Sequence, residues 1–360
     1  MTSAAPRDHL RSLQALRGVA AGAVVFEHLH FHSELRQGPG LVPEWFAAGH
    51  LGVDLFFVLS GFILLHVHRG DLGRPGRVGP YAWRRFVRVW PLLALLSTLK
   101  LAYLLLGGPG ASPHKTELSV IATSFLLLPH PDWPLLDVAW TLRHEALFYA
   151  LFGLAVWGGV RLGLWLCAAA AAGLLGVSLA GGTNGWPWWA VFLGTPLHWH
   201  FLFGLAVADL ARRPLGERLL RPVAAALWLS ASAAALLLGA AWHLETGRDE
   251  PRILFALGSA ALVLWLVPAE RRRPLPIPRW LAQLGDASYS LYLWHGFVIV
   301  AALTPWAHLP PSIQAWPRLY LAGVAALSFA SSLALYRWVE RPLLASLKRG
   351  SSPPAAQGNP

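Results

Sequence analysis

The chain has 360 residues, 55% hydrophobic and only 13% charged, with a mean hydropathy of +0.48. Soluble domains carry about 25% charged residues, so this composition leaves too little charge for a water-facing exterior and excludes an ordinary soluble two-domain protein. The lone cysteine, Cys167, excludes an internal disulfide and a cysteine-cluster metal site, and the net charge of +11 sits in short arginine clusters between apolar runs, which points to a membrane protein and not to a nucleic-acid binder.

A bilayer core takes about 20 mostly apolar residues per helix. Ten runs meet or approach that length: 12–32, 50–68, 87–107, 140–158, 160–180, 188–209, 221–242, 252–268, 282–303 and 318–338. An eleventh run, Leu118–Leu128, is too short to cross and is flanked by Pro113, Pro129, Pro131 and Pro134; residues 118–129 are expected to form a re-entrant or surface segment. The first run carries Arg17, Glu27 and His28 and does not read as a cleavable signal peptide. With the N-terminus inside, the clusters at Arg69–Arg88, Arg212–Arg221 and Arg271–Arg279 and the basic end from Arg337 all fall on the cytoplasmic side, as the positive-inside rule requires. The expectation is therefore an all-α polytopic membrane protein with ten transmembrane helices and both termini cytoplasmic. Its membrane domain covers residues 1–347, and a disordered tail rich in Ser, Pro, Ala and Gly covers 348–360.

Ionisable residues inside spans are costly, so each is a functional hypothesis. Arg17 and His28 lie eleven residues apart on the first helix; at 100° per residue they share a face, about 16 Å apart along the axis. The second helix, Gly52-Val53-Asp54-Leu55-Phe56-Phe57-Val58-Leu59-Ser60-Gly61-Phe62, sets Asp54 and Gly61 on one face. The fourth begins Trp140-Thr141-Leu142-Arg143-His144-Glu145 and places Glu145 and Tyr149 one turn apart. Threading these helices alternately puts His28, Asp54 and Glu145 at one depth near the outer surface. Bland readings stand beside each: Arg17 snorkelling, Asp54 capping its helix, Glu145 paired with Arg143. At the inner side, Arg84, Arg85 and Arg88 can turn guanidinium groups toward one anion, or can simply anchor the loop to anionic lipid. Ser288, Tyr292 and His295 share a face of the ninth helix.

In this order and spacing, Leu16-Arg17-Gly18-Val19-Ala20-Ala21 with His28, the Gly52–Phe62 run, Arg84-Arg85-Phe86-Val87-Arg88 with Trp90-Pro91, Trp140-Thr141-Leu142 with Glu145 and Phe148-Tyr149, Ser288–His295, and Glu340-Arg341-Pro342 resemble the acyltransferase-3 family of integral membrane acyltransferases. The resemblance covers about residues 10–345. It implies ten spans in the inner membrane and transfer of an acyl group, acetyl or another short one, from cytoplasmic acyl-CoA to a hydroxyl of an extracytoplasmic glycan or glycoconjugate. It makes His28 the catalytic histidine and Arg85 with Arg88 the arginines that meet acyl-CoA, with Arg17 and Arg84 added to that set. Three departures stand out: Glu27 replaces an apolar residue before His28, His30 and His32 follow it, and Trp90 stands where tyrosine is common.

The chemistry is consistent with that implication. Arginine forks suit phosphates, and a neutral imidazole suits removal of a hydroxyl proton near pH 7. Glu145 or Asp54 is then the candidate to orient the other ring nitrogen, and Ser288, Tyr292, His295 and Tyr149 are further polar candidates. Trp45, Trp133, Trp140, Trp186, Trp188 and Trp189 lie in or beside outer segments, where tryptophan suits sugar faces but is also common at any membrane interface. The alternatives are a lipid or small natural-product acceptor, and a polytopic transporter, which ten spans with buried charge also fit. A metal held by His28 and His32 at i, i+4 lacks an evident third ligand, so no metal is expected.

Overall fold

A computed structural model describes residues 10–108, 113–183 and 185–349. Among them every regular element is helical. The elements are α1 (Arg11–Gln37), α2 (Leu51–His68), α3 (Val78–Leu105), α4 (Leu118–Leu126), α5 (Trp140–Leu179), α6 (Trp188–Gly194), α7 (Leu197–Leu210), α8 (Pro214–Arg218), α9 (Pro222–Thr246), α10 (Glu250–Arg272), α11 (Arg279–Asp286), α12 (Ser288–Leu303), α13 (Pro311–Gln314), α14 (Pro317–Leu335) and α15 (Arg341–Arg349), with a π-helical turn, Tyr336–Glu340, between the last two.

Among the described residues, eight segments are long and apolar enough to cross a membrane. The expected ten differs from that count at two places. Helix α1 is 27 residues long but too polar to qualify. Helix α5 counts once although Gly159 breaks it, with φ 85° and ψ −175°. Only glycine takes that conformation without strain, and here it also lets the chain at Gly73 pack directly on it; the division between 158 and 160 read from the sequence falls on this residue. Other boundaries shift as well. Helix α3 begins at Val78 instead of 87, because Pro80 falls in the first turn, where its missing N–H costs nothing. Pro196 divides the sixth run into α6 and α7, a break at Ala287 separates α11 from α12, and the π turn ends α14. Lys348 and Arg349 complete α15, and residues 350–360 of the expected tail lie outside the described residues.

Helix α4 has nine residues, about 14 Å, less than half a bilayer core. It packs on α3, and its Ser124 Oγ accepts a hydrogen bond from the Leu135 N–H (3.0 Å). Beside it, His114 lies 3.0 Å from Glu117 and 2.8 Å from Asp132, and hydrogen bonds to these two carboxylates raise its pKa.

Helix α1 runs through the middle of the assembly, touching α2, α10, α11, α12 and α14. Helices α2 and α7 pack closely: a Cβ on Gly61 would collide with the Phe201 carbonyl, and one on Gly204 with that of Val58. Small residues are what permit such backbone approach within a membrane. Phe56 packs against each of the three buried apolar clusters.

Candidate active site

Charged side chains are too costly to leave in lipid, so they turn inward. A cavity of about 120 Å³ lies where α1, α2, α3, α5 and α12 converge. One end is lined by Arg17, Arg85, Arg88, Tyr149, Ser288 and Tyr289. Ser60 and Glu145 come next, and the other end is walled by Val53, Phe56, Phe57, Thr141, Leu142 and Tyr292.

The arginine end is held by short contacts. Arg17 Nε and Nη2 donate to Ser288 Oγ at 3.2 and 3.0 Å. Arg88 Nη1 donates to Glu340 Oε1 at 2.6 Å, and Ser290 Oγ donates to Glu340 Oε2 at 2.6 Å. Arg88 also lies over the Tyr289 ring and Arg85 over the Tyr149 ring. Glu340 is 1% exposed and projects from the π turn, a feature that often marks functional sites. Arg84 corrects an expectation. Its Nη2 donates to Asp71 Oδ2 at 3.0 Å, and it does not line the cavity. One residue before Arg85 on a helix, it points about 100° away.

Glu145 is in the cavity, its Oε1 accepting from Tyr149 Oη (2.6 Å) and Ser60 Oγ (2.9 Å). Its expected place beside His28 is therefore not the one observed, and neither is that of Asp54. Asp54 is fully buried, facing Arg252 (Nη2 2.9 Å, Nε 3.2 Å) and lying 3.0 Å from His200 Nδ1. Sharing a face with Gly61, it turns toward α7 and α10, away from the Val53 and Phe57 side that lines the cavity. The expected layer of His28, Asp54 and Glu145 thus divides into three separate surroundings.

The acid beside His28 is its sequence neighbour. Glu27 Oε2 lies 2.7 Å from His28 Nδ1, and Val24 O lies 3.0 Å from the same atom. Both are acceptors, so Nδ1 carries a proton, and in the neutral imidazole Nε2 keeps its lone pair. The His28 side chain is 29% exposed and does not line the cavity. His295 meets it edge-on, ring centroids 4.8 Å apart. His295 is anchored the same way, Nδ1 to Leu291 O at 2.8 Å, and its buried Nε2 has no partner among the described residues. Tyr292 lies between the histidines and the cavity. Its ring is 6.3 Å from that of His295 and 6.1 Å from that of Phe56, and its hydroxyl donates to Val138 O at 2.7 Å and shares a 2.7 Å hydrogen bond with Thr141. Ser288, Tyr292 and His295 therefore do form one face, and each serves a different layer. The His28 and His32 rings are 6.5 Å apart, and among the described residues no group of three His, Cys, Asp or Glu is placed to hold a metal ion.

Glu27 entered the sequence reading only as a departure before His28 and Glu340 only as part of a motif; neither was a candidate site residue, and nor were Arg252 and His200. Arg252 had a signal: a buried carboxylate such as Asp54 needs a cation, and Arg252 begins an apolar run at the same expected depth.

Comparison with known proteins identifies the family. A model of the acyltransferase domain matches residues 10–337. The chain is 28% identical to the exopolysaccharide production protein ExoZ of Rhizobium meliloti, over 87% of this chain and 94% of that one. It is 27% identical to BcsY of Komagataeibacter xylinus, named as a membrane-bound transacylase, over 93% and 83%. A shorter match, 25% identical over 41% of this chain and 21% of the relative, is to the peptidoglycan O-acetyltransferase OatA of Listeria monocytogenes. No solved structure matches. The family model covers nearly the whole helical assembly around the arginine-lined cavity, and the chain belongs to the acyltransferase-3 family of membrane acyltransferases.

Proposed function

We propose that this acyltransferase moves a short acyl group from cytoplasmic acyl-CoA to a hydroxyl of an extracytoplasmic glycan or glycoconjugate. The single observation that carries the reading is the polarity of the assembly: three guanidinium groups at one end of a membrane-embedded cavity and, just beyond its other end, a histidine whose Nε2 is free. The names of ExoZ and OatA, which refer to exopolysaccharide and peptidoglycan, support the acceptor class.

The arginine end faces the cytoplasm in this reading. Arg17, Arg85 and Arg88 meet the CoA phosphates, and the pantetheine arm runs toward His28, about 16 Å further along α1. The acceptor hydroxyl loses its proton to His28 Nε2 as its oxygen attacks the thioester carbonyl carbon. Glu27, on Nδ1, stabilises the imidazolium that forms. The tetrahedral intermediate collapses, the C–S bond breaks, and the thiolate takes the proton back from His28. The products are an ester and free CoA, and no proton is gained or lost overall. Glu145, with Ser60 and Tyr149, lines the path between the two ends.

The same reading sets ten spans, with α1 and both parts of α5 crossing, both termini cytoplasmic and the protein in the inner membrane. The arginine-rich connections support that orientation. The test is acyl transfer by the purified chain in liposomes, followed by release of CoA thiol. His28→Ala should insert normally and lose ~100-fold or more of the rate, the scale of general-base loss. Near-normal transfer by that variant refutes the role of His28, and absence of transfer from any acyl-CoA refutes the donor.

A further inference from the structure

We infer that Glu145 holds the arm of acyl-CoA, its Oε2 accepting a hydrogen bond from the amide N–H nearer the phosphates. The inference deepens the proposed function and rests on its reading that acyl-CoA enters from the arginine end.

A carboxylate inside a membrane protein has to be matched by donors or cations. The match around Glu145 is one-sided. Tyr149 Oη and Ser60 Oγ both donate to Oε1, at 2.6 and 2.9 Å. Oε2 has no hydrogen-bond partner among the described residues, although Glu145 lines the cavity. The arginines are engaged elsewhere: Arg17 donates to Ser288, Arg88 donates to Glu340, and Arg85 lies over the Tyr149 ring. Tyr149 and Ser60 thus fix the orientation of the carboxylate and leave one of its oxygens to a ligand. The walls beyond it, among them Phe56, Phe57 and Leu142, are apolar and offer no competing acceptor.

Depth selects the donor that meets this oxygen. Glu145 lies four residues before Tyr149 on α5, so it stands about 6 Å further from the arginine end. The phosphates and the thioester of acyl-CoA only accept hydrogen bonds. Between them the arm offers a hydroxyl and two amide N–H groups. With the phosphates on Arg17, Arg85 and Arg88, the hydroxyl stays near the level of Tyr149 and the first amide reaches Glu145. The β-alanine and cysteamine units that follow then cover the remaining distance of about 10 Å to the level of His28. Pinning the first amide leaves the thioester end of the arm free to travel on toward the histidine.

The test pairs variants with donor analogues and needs no acceptor. In one analogue of acetyl-CoA an ester oxygen replaces the phosphate-side amide nitrogen; in the other it replaces the sulfur-side nitrogen. Each keeps the length of the arm and removes one N–H. Kd is measured for acetyl-CoA and both analogues with the full chain in liposomes. The ratios come from one preparation, so the inserted fraction cancels. Loss of the phosphate-side N–H should weaken binding to the wild type about tenfold, the low end for a hydrogen bond to a charged group. Glu145→Gln, which keeps the size and an acceptor oxygen, should cut that ratio at least threefold, and Glu145→Ala should bring it within twofold of one. Neither should alter the ratio for the sulfur-side analogue. A phosphate-side ratio that stays at its wild-type value in both variants shows that the N–H is read elsewhere and refutes the inference. Coupling of Glu145 to the sulfur-side N–H instead refutes the assignment of the amide. If Glu145→Gln inserts but binds no donor, the carboxylate shapes the site and the inference is wrong. A wild type that binds no acetyl-CoA overturns the donor reading first and this inference with it. A wild type that binds acetyl-CoA and the phosphate-side analogue equally overturns this inference alone.

Discussion

Replacing Glu27 tests whether the acid beside His28 takes part in the transfer. The two side chains lie 2.7 Å apart and are 22% and 29% exposed, so their interaction is neither fully screened nor fully buried. A hydrogen bond to a charged partner contributes about 1.5–3 kcal/mol, and one between neutral groups about 0.5–1.5 kcal/mol. Glu27→Gln keeps an acceptor oxygen and removes the charge that stabilises the imidazolium. The difference is about 1.4 kcal/mol, or tenfold in rate. Partial exposure argues for a value no larger than this. The loss should fall far short of the ~10⁴-fold seen when a triad acid is replaced and the imidazole adopts the wrong tautomer, because Val24 O remains 3.0 Å from Nδ1 and preserves the tautomer. Glu27→Ala, which removes the acceptor too, should lose more than Gln but less than His28→Ala. The assay is CoA thiol release under saturating donor and acceptor. A Gln variant within twofold of wild type refutes the orienting role. A Gln variant as inactive as His28→Ala refutes it in the other direction, since Glu27 would then be needed for the reaction itself.

The arginine end predicts that Arg85→Gln with Arg88→Gln raises the KM for acyl-CoA and leaves acceptor affinity unchanged, whereas Arg84→Gln, tied to Asp71, changes donor KM little; a large donor effect at Arg84 in steady-state kinetics contradicts the geometry. Asp54→Asn breaks a buried ion pair and should destabilise by about 3–5 kcal/mol, read as a lower midpoint in thermal unfolding, with kcat per folded molecule nearly unchanged because Asp54 does not line the cavity. Cysteines at Leu118 and Trp133, both exposed, in a Cys167→Ser background should react with an impermeant thiol reagent from the same face, because α4 is too short to cross; labelling from opposite faces would overturn the ten-span count.

The helical segments were legible where the signal is local. Apolar runs, the Gly159 break and the short α4 are each contained within a stretch of sequence a few turns long. Side-chain pairing is not local. Asp54 meets Arg252 across 198 residues, and Arg88 meets Glu340 across 252. Those partnerships depend on how each helix is rotated about its axis, and depth along the membrane does not give rotation. That is why His28, Asp54 and Glu145, expected in one layer, lie in separate surroundings, and why Arg84, expected beside Arg85 and Arg88, faces Asp71. Glu27 was missed for a different reason. Residues i and i+1 on a helix ordinarily face apart, and the pair meets only because the His28 ring folds back toward Val24, bringing Nδ1 within reach of the carboxylate.

His295 supplies the last test. An imidazole nitrogen that is buried without a partner costs about 1–3 kcal/mol, and among the described residues its Nε2 is in that state while the ring stands edge-on to His28. Both rings are anchored through Nδ1, so both offer only an acceptor. Two acceptors side by side match a substrate that brings donors, which a hydroxyl-bearing glycan does. If the proposed acceptor donates to it, that nitrogen gains its partner when the acceptor binds. His295→Phe keeps an aromatic ring at that position and removes the unmatched nitrogen. Its thermal midpoint should equal or exceed that of wild type, while kcat/KM for the acceptor falls at least tenfold and the KM for acyl-CoA stays the same. Higher stability with full activity would make His295 a packing residue with an incidental nitrogen. A sharp fall in stability would make its hydrogen bond to Leu291 O the reason it is there.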